Sequence, residues 1–174
     1  MLFRSDEPFD KLISIGMFEH VGREKLPGYF AKAHRLLRPG GLFLLQGGTA
    51  RHDRRHAGKR WMDRIGLGRT AFMQKYSFPD SALLDVPTIL ALVERAGFEV
   101  LEVTCMRPHA VQTVRHWVTR LEQNREAAVA EVGEAAYRCW QLIWAGYLHL
   151  LAEDRLSEYQ FLLAKRDAAA PSFA

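Results

Sequence analysis

The chain has 174 residues, of which 48% are hydrophobic and 25% charged, with 13 Gly and 7 Pro. These proportions exclude a disordered chain, a collagen-like repeat and a disulfide scaffold, and the length suits one domain with a hydrophobic core. The two cysteines, Cys105 and Cys139, have no zinc-site or redox spacing, and neither a membrane-spanning run nor a signal peptide is evident. We therefore expect no metal site and a cytoplasmic location.

The net charge of +4 is concentrated in one segment. The segment from Arg51 to Lys75 contains eight Lys and Arg residues but only two Asp residues, so the remainder of the chain is slightly acidic. Such a run is typical of a solvated surface loop, but Trp61 and Ile65 beside it favour an anionic membrane surface as the alternative. No nucleic-acid-binding signature accompanies the charge. We expect a basic insert or substrate-side loop at 51–75, with peripheral membrane contact through Arg51 to Arg69 as the functional alternative.

A strand, a helix and a second strand are predicted in the first third of the chain. Phe9 to Gly16 has the apolar character of a buried strand and ends at a glycine. Apolar residues recur at helical spacing from Pro27 to Arg38, and Pro39-Gly40-Gly41 ends that helix. Gly41 to Gln46 is predicted as the next buried strand.

Helices and strands continue to alternate after the basic segment. Asp85 to Ala96 is predicted as a helix with Gly97 as its cap. The remaining predicted elements are a strand at Phe98 to Thr104, amphipathic helices at His109 to Leu121 and Glu134 to Leu151, and a strand at Tyr159 to Lys165. This alternation indicates an α/β fold with a mainly parallel sheet. We expect one domain at 1–166 and a flexible tail at 167–174.

Several motifs together resemble one family. The most specific is Gly16-Met17-Phe18-Glu19-His20-Val21-Gly22, directly after the first strand. Further matching stretches are Leu36 to Leu45, Lys75-Tyr76-Ser77-Phe78-Pro79, Arg107-Pro108-His109, Ala145-Gly146 and Tyr159-Gln160. The chain resembles the cyclopropane-fatty-acyl-phospholipid synthases and mycolic acid cyclopropane synthases over nearly its whole length.

The resemblance implies a Rossmann-like class I methyltransferase fold that is incomplete. The chain contains no G-x-G-x-G turn, which that fold uses beside its cofactor. Phe9 to Ile15 corresponds to the fourth strand of the family sheet, so this chain resembles strands 4 to 7 with their helices. We therefore expect an exposed edge at Phe9 to Ile15, and a missing N-terminal half or a second copy as partner.

The resemblance also implies a reaction, which is methyl transfer from S-adenosylmethionine to a double bond of an unsaturated phospholipid acyl chain. Loss of a proton from the resulting carbocation closes the ring, and a bound bicarbonate is the family's base. Carried over by position, Glu19 and Gln46 are the catalytic candidates, while Ile15, Gly16 and His20 are the cofactor-binding candidates. A turn-capping role for Glu19 and a packing role for His20 are the structural alternatives.

Some positions differ from the family pattern. Gln46 replaces a His, Gly47-Gly48 replaces Thr-Ile, Ala110 replaces a Tyr, and Tyr147 replaces a Cys. Ala110 offers no hydrogen bond to an anion, so bicarbonate binding is a weaker expectation than S-adenosylmethionine binding. The alternatives are methylation of another lipid or small molecule without ring closure, and a non-catalytic remnant that binds a lipid surface or partner.

The aromatic residues of the two long helices have two interpretations. Trp117, Trp140 and Trp144 could line an acyl channel, although aromatic residues at helical spacing more commonly form core. His109, at the start of the first of these helices, is predicted to pack in its turn.

Overall fold

The computed structural model describes residues 7–51, 75–76, 78 and 81–166. They divide into two compact units. The first, here called the sheet unit, comprises the described residues of 7–50, 81–105 and 158–166. The second, the helical unit, comprises residue 51, the described residues of 75–78, and 106–157. The predicted tail and nearly all of the basic segment lie outside the described residues.

The sheet unit contains four strands and two helices. They are β1 (Phe9–Ile15), α1 (Leu26–Arg35), β2 (Leu37–Ala50), α2 (Val86–Arg95), β3 (Phe98–Cys105) and β4 (Leu156–Lys165), the last beginning in the helical unit. Two 3₁₀ turns, Phe18–His20 and Arg23–Lys25, connect β1 to α1. The strand order is β1-β2-β4-β3, with β1 parallel to β2 and β3 antiparallel to β4. This confirms the α/β class.

The sequence predicted a mainly parallel sheet, and the structure pairs β1 with β2 in parallel but β3 with β4 antiparallel. β3 ends at Cys105, which pairs with Tyr159 of β4. The chain thus leaves the sheet after β3 and returns beside the same residue, so β4 must run in the opposite direction. A parallel return would require the chain to re-enter at the other end of β3.

The core of the sheet unit lies between one sheet face and the two helices. Side chains alternate along each strand, so Phe43 and Leu45 of β2 point into this core with Phe161 and Leu163 of β4. The helices contribute Leu26, Tyr29, Phe30, Ala33, Ile89 and Val93. Burial of each large apolar side chain stabilises the fold by about 1.5–3 kcal/mol.

β1 is an edge strand with two contrasting faces. Leu12 and Ser14 are buried, whereas Ile13 and Ile15 are 60% and 59% exposed. Within the part of the chain that the structure describes, no strand pairs with the outer side of β1. The predicted exposed apolar edge is therefore confirmed.

The junction between α1 and β2 differs from the prediction. The helix ends at Arg35 and the strand begins at Leu37, before the Pro-Gly-Gly stretch. Leu36 and Leu37 are buried in the core, and the Leu36 carbonyl accepts a hydrogen bond of 2.7 Å from the Phe9 amide. The pairing then jumps from Phe9–Leu37 to Lys11–Leu42, so the Pro-Gly-Gly stretch forms a bulge within the strand.

The ends of α2 follow the prediction closely. The Asp85 carboxylate accepts a hydrogen bond of 3.2 Å from the Thr88 amide, which caps the first turn. Gly97, directly beyond the helix, has a φ of +94°, a conformation that other residues adopt with strain.

The helical unit consists of α3 (Arg107–Gln123), α4 (Arg125–Val132) and α5 (Glu134–Ala152). The sequence predicted α3 and α5 with small boundary differences and missed α4. That helix has eight residues, none of them buried, so it carries no apolar stripe to reveal it. No helix among the described residues has the length and hydropathy required to span a membrane.

Candidate functional site

Glu19 lies just beyond the carboxyl end of β1. The chain leaves the strand at Gly16, whose φ is +61°, and enters the first 3₁₀ turn. Glu19 is only 7% exposed, and its backbone carbonyl accepts a hydrogen bond of 2.8 Å from the Ala82 amide. Its side chain reaches β2 rather than capping its own turn, and there the carboxylate accepts a hydrogen bond from the Gly48 amide.

The two carboxylate oxygens of Glu19 have different surroundings. Oε1 accepts a hydrogen bond of 3.3 Å from the Gly48 amide. Oε2 is buried and has no hydrogen-bond partner among the described residues. A buried polar atom without a partner costs about 1–3 kcal/mol, so this arrangement does not serve stability. It leaves a strong hydrogen-bond acceptor without a partner among the described residues.

Glycine makes room for this carboxylate. A Cβ at Gly47 would lie 2.6 Å from Glu19 Oε2 and 2.5 Å from Phe18 Cε1, which is closer than such atoms approach. Gly47 and Gly48 together form what we call the glycine seat. The sequence marked both positions only as departures from the family pattern.

A buried pair of hydroxyl groups lies on the same side of the sheet. The Tyr29 phenol donates a hydrogen bond of 2.6 Å to Ser14 Oγ. Burial raises the pKa of Tyr29; the bond to Ser14 lowers it, and the negative charge of Glu19 raises it. The phenol is therefore neutral at physiological pH. Sequence reasoning missed this pair, although Ser14 stands out as a polar residue at a buried strand position.

Gln46 has a different environment from Glu19. Its side-chain Oε1 accepts a hydrogen bond of 2.7 Å from Gln160 Nε2 on β4, and its backbone carbonyl accepts one of 3.0 Å from the Gly16 amide. Since successive side chains of a strand point to opposite faces, Gln46 and Gly47 lie on opposite faces of the sheet. The structure thus places the two predicted catalytic side chains, Glu19 and Gln46, on opposite faces.

The predicted cofactor-binding residues gather at the carboxyl end of β1. The Gly16 amide bonds to β2, so alternation directs the amide and carbonyl of Ile15 toward the open edge. His20 is exposed at the end of the first 3₁₀ turn. In open α/β sheets, ligands bind in the crevice outside the carboxyl ends of the strands, where these residues lie.

The tryptophans of the helical unit form a cluster beside a groove of about 460 Å³. Trp144 packs edge-on against Trp117, with ring centroids 4.9 Å apart, and stacks on Trp140 at 5.9 Å. Trp117 and Trp140 are nevertheless 46% and 36% exposed, so they are not the plain core that the spacing favours. His109 is also exposed, and the prediction that it packs in its turn is wrong.

Two further positions named from the sequence lie in the helical unit. Arg51, the first cation of the basic segment, forms an ion pair with Asp154, which also pairs with Arg107. The other cations up to Arg69 lie outside the described residues. Ala110 is in the first turn of α3 and carries no side-chain donor.

Comparison with known proteins gives one consistent result. The family model described as mycolic acid cyclopropane synthetase matches residues 3–161. A Pseudomonas putida protein named "Probable fatty acid methyltransferase" is 36% identical over 92% of this chain, and Cyclopropane mycolic acid synthase 1 of Mycobacterium tuberculosis is 30% identical over 92%.

Solved structures agree with the sequence relatives. The mycolic acid cyclopropane synthase CmaA1 complexed with SAH and CTAB superposes with a TM-score of 0.84 at 28% identity over 94% of this chain. The match covers 58% of that chain, 56% of the mycobacterial relative and 39% of the Pseudomonas relative. The chain thus spans about half the length, or less, of the proteins it matches.

Proposed function

Because the chain belongs to the mycolic acid cyclopropane synthetase family, we propose that it contributes part of a methyltransferase site. The reaction is methyl transfer from S-adenosylmethionine to a double bond of an unsaturated phospholipid acyl chain. One observation carries the proposal. It is the buried Glu19 carboxylate with an unpartnered oxygen, held at the carboxyl end of two parallel strands.

The residues at the end of β1 suit S-adenosylmethionine, which supplies an electrophilic methyl group when bound. Gly16 turns the chain away from the sheet, and the polar backbone atoms of Ile15 face the open edge. His20 is exposed beside them. The structural relative complexed with SAH supports this cofactor. Because the chain spans only about half the length of the relatives it matches, we expect it alone to bind S-adenosylmethionine weakly.

Glu19 would stabilise the positive charge that develops in the acyl chain during the reaction. In the proposed reaction the alkene would take the sulfonium methyl group, the S–CH3 bond would break with release of S-adenosylhomocysteine, and a carbocation would remain in the acyl chain. A preorganised carboxylate lowers the free energy of such a cation most effectively where water is excluded. The orphaned Oε2 is buried, so that oxygen is not screened by solvent.

The residues present do not fit a bound bicarbonate well. Glu19 offers an acceptor, but the Gln46 side chain lies on the opposite sheet face and bonds to Gln160. Ala110 provides no donor. We therefore assign no step to bicarbonate.

This poor fit favours a second candidate function, which is methylation of a lipid or small molecule without ring closure. In that reaction the cation loses a proton without closing the ring, which gives a methylene group or a methyl-substituted alkene. The proton can pass to an acceptor other than a bicarbonate held at Gln46 and Ala110. The 36% identity to a protein named "Probable fatty acid methyltransferase" supports it. A non-catalytic module that binds a lipid surface or partner is the third candidate.

The chain also needs a partner segment under this proposal. The outer side of β1 presents backbone groups that could pair with another strand, and Ile13 and Ile15 are exposed on the sheet face opposite Leu12 and Ser14. We propose that the part of the relatives' fold that this chain does not span occupies this edge. It would be supplied by an N-terminal half, with a second copy of the chain as the alternative.

A chimera tests the proposed reaction. The segment that precedes the matched region in the Pseudomonas putida relative is fused to this chain, and the product is called the chimera below. It is incubated with methyl-labelled S-adenosylmethionine and vesicles of unsaturated phospholipid, and the acyl chains are analysed by mass spectrometry. Cyclopropane products support the first candidate, and methylene or methyl-substituted alkene products support the second. Absence of label in a folded chimera that binds the cofactor contradicts both.

Membrane contact through Arg51 to Arg69 is a separate proposal with its own test. Charge reversal at Arg54, Arg55, Lys59 and Arg60 should abolish co-sedimentation with anionic vesicles. Reversal at Arg51 alone should change it little, because that residue already pairs with Asp154. Unchanged co-sedimentation of the fourfold variant would count against the proposal.

A further inference from the structure

We propose that Gly47 is the positioning residue for the Glu19 carboxylate. Its missing side chain would then determine where the carboxylate lies. The importance of that location for chemistry rests on the proposed function. The claim that Gly47 determines the position of the carboxylate does not rest on the proposed function, and it can be tested without measuring any enzymatic activity.

The steric evidence comes from two buried neighbours. A Cβ at Gly47 would lie 2.5 Å from Phe18 Cε1, 2.6 Å from Glu19 Oε2 and 3.0 Å from Glu19 Cδ. Phe18 is fully buried and Glu19 nearly so, so neither side chain can move into solvent to avoid the contact. Any residue other than glycine would therefore displace the ring, the carboxylate or β2 itself.

The backbone of Gly47 does not explain the glycine. Its φ lies outside the left-handed region, in contrast to Gly16 and Gly40. Glycine in the interior of a strand weakens the strand, and it commonly marks a close approach by another group. Here the approaching group is the carboxylate, so space is the property that glycine provides at this position.

The next residue contributes a second element of the same seat. The Gly48 amide donates to Glu19 Oε1 at 3.3 Å. Gly47 thus leaves room for one oxygen while its neighbour binds the other. Displacement of the carboxylate by a methyl group at Gly47 would lengthen or break this hydrogen bond, which gives the proposal a spectroscopic readout.

Two other glycines serve as matched controls. A Cβ at Gly28 in α1 or at Gly146 in α5 would meet no atom of the described residues within 4 Å, and neither residue has a positive φ. Gly28→Ala and Gly146→Ala therefore add the same methyl group without a collision. These two variants should leave the glycine seat and the Glu19 carboxylate unchanged, and they should lower the thermal stability little or not at all.

The experiment uses the full 174-residue chain. The Gly48 amide resonance is followed by ¹H–¹⁵N NMR in the parent chain and in the variants Gly47→Ala, Glu19→Ala, Gly28→Ala and Gly146→Ala. We expect Gly47→Ala to move this resonance toward its position in Glu19→Ala, with both controls leaving it unchanged. An unmoved resonance in Gly47→Ala would overturn the proposal.

A double-mutant cycle covers the case in which Gly47→Ala folds poorly. We expect Gly47→Ala to lower the Tm by about 3–10 °C in the parent chain, as overpacking does. In the Glu19→Ala background the loss should fall by roughly half, since only the Phe18 contact remains. An equal loss of Tm in both backgrounds would mean that glycine is required at position 47 only because of Phe18, and it would overturn the proposal. If Gly47→Ala does not fold, folding of the double variant supports the proposal and its failure contradicts it.

Discussion

Glu19 lies just beyond β1 and Gln46 lies within the neighbouring parallel strand β2, yet the structure gives the two side chains opposite chemical environments. Gln46 has its side-chain oxygen bonded to Gln160 and its backbone carbonyl bonded to Gly16. Glu19 is more deeply buried, but one of its oxygens has no partner among the described residues. The contrast teaches that position in a family motif does not by itself identify a reactive group. Unsatisfied hydrogen-bonding capacity in a buried place is the more informative property.

The largest expected effect is on the rate of methyl transfer, which should depend on Glu19 far more than on Gln46. In the chimera, Glu19→Gln should lower the rate of methyl transfer by about 10²–10⁴-fold, because it removes the charge that stabilises the cation. Gln46→Ala should lower the rate by less than about 10-fold, since it removes only a contact to Gln160. Initial rates with labelled S-adenosylmethionine measure both. Equal losses in the two variants would show that the contrast between them has no functional meaning.

The next effect concerns the two faces of β1. Leu12→Ala should lower the free energy of unfolding by about 2–5 kcal/mol, because Leu12 is buried in the core. Ile13→Lys should change it by less than about 0.5 kcal/mol and reduce aggregation of the isolated chain, because Ile13 is 60% exposed on an edge strand. Urea denaturation and light scattering measure the two quantities. A large loss of stability in Ile13→Lys would mean that this face is covered.

The smallest expected effect is a change in the pH dependence of stability, which arises from Tyr29 beside Glu19. Burial raises the pKa of Tyr29 above its ordinary value of 10.0, so the fold binds this proton more tightly than the unfolded chain does. The contribution of Tyr29 to stability is therefore fully present well below pH 10.0 and is lost as the pH rises through and above that value, because the unfolded chain releases the proton first.

Tyr29→Phe should remove this contribution to the pH dependence. The parent chain should lose more stability than the variant between pH 9.5 and 11.5, measured by urea denaturation at each pH. Parallel curves for the two proteins over that window would show that the phenol is not protected from ionisation.

Much of the fold could be predicted from local sequence signals. Strand β1 and the capped helix α2 follow from apolar periodicity and glycine positions. The exposed edge at Ile13 and Ile15 follows instead from the resemblance to the family, in which Phe9 to Ile15 corresponds to the fourth strand. The start of β2 could not be predicted in the same way, because burial of Leu36 and Leu37 in the core outweighed the turn signal that follows them. Local propensity is a weak guide where tertiary packing opposes it.

The candidate site was predictable only in part. Glu19 could be identified from its motif, but the glycine seat depends on contacts between residues 29 positions apart. The Ser14–Tyr29 pair likewise joins a strand to a helix across the core. A single sequence gives no information about such pairings. The separation of Gln46 from Glu19 also follows from strand alternation once β2 is known to continue past Gly47.

The most direct test of the central claim is a calorimetric titration with S-adenosylmethionine. The claim is that this chain carries the Glu19 part of a methyltransferase site and needs a further segment to complete the cofactor crevice. We expect the chimera to bind at least about 100-fold more tightly than the 174-residue chain, which corresponds to about 2.8 kcal/mol. Tight stoichiometric binding to the chain alone, or no binding to a folded chimera, would contradict the claim.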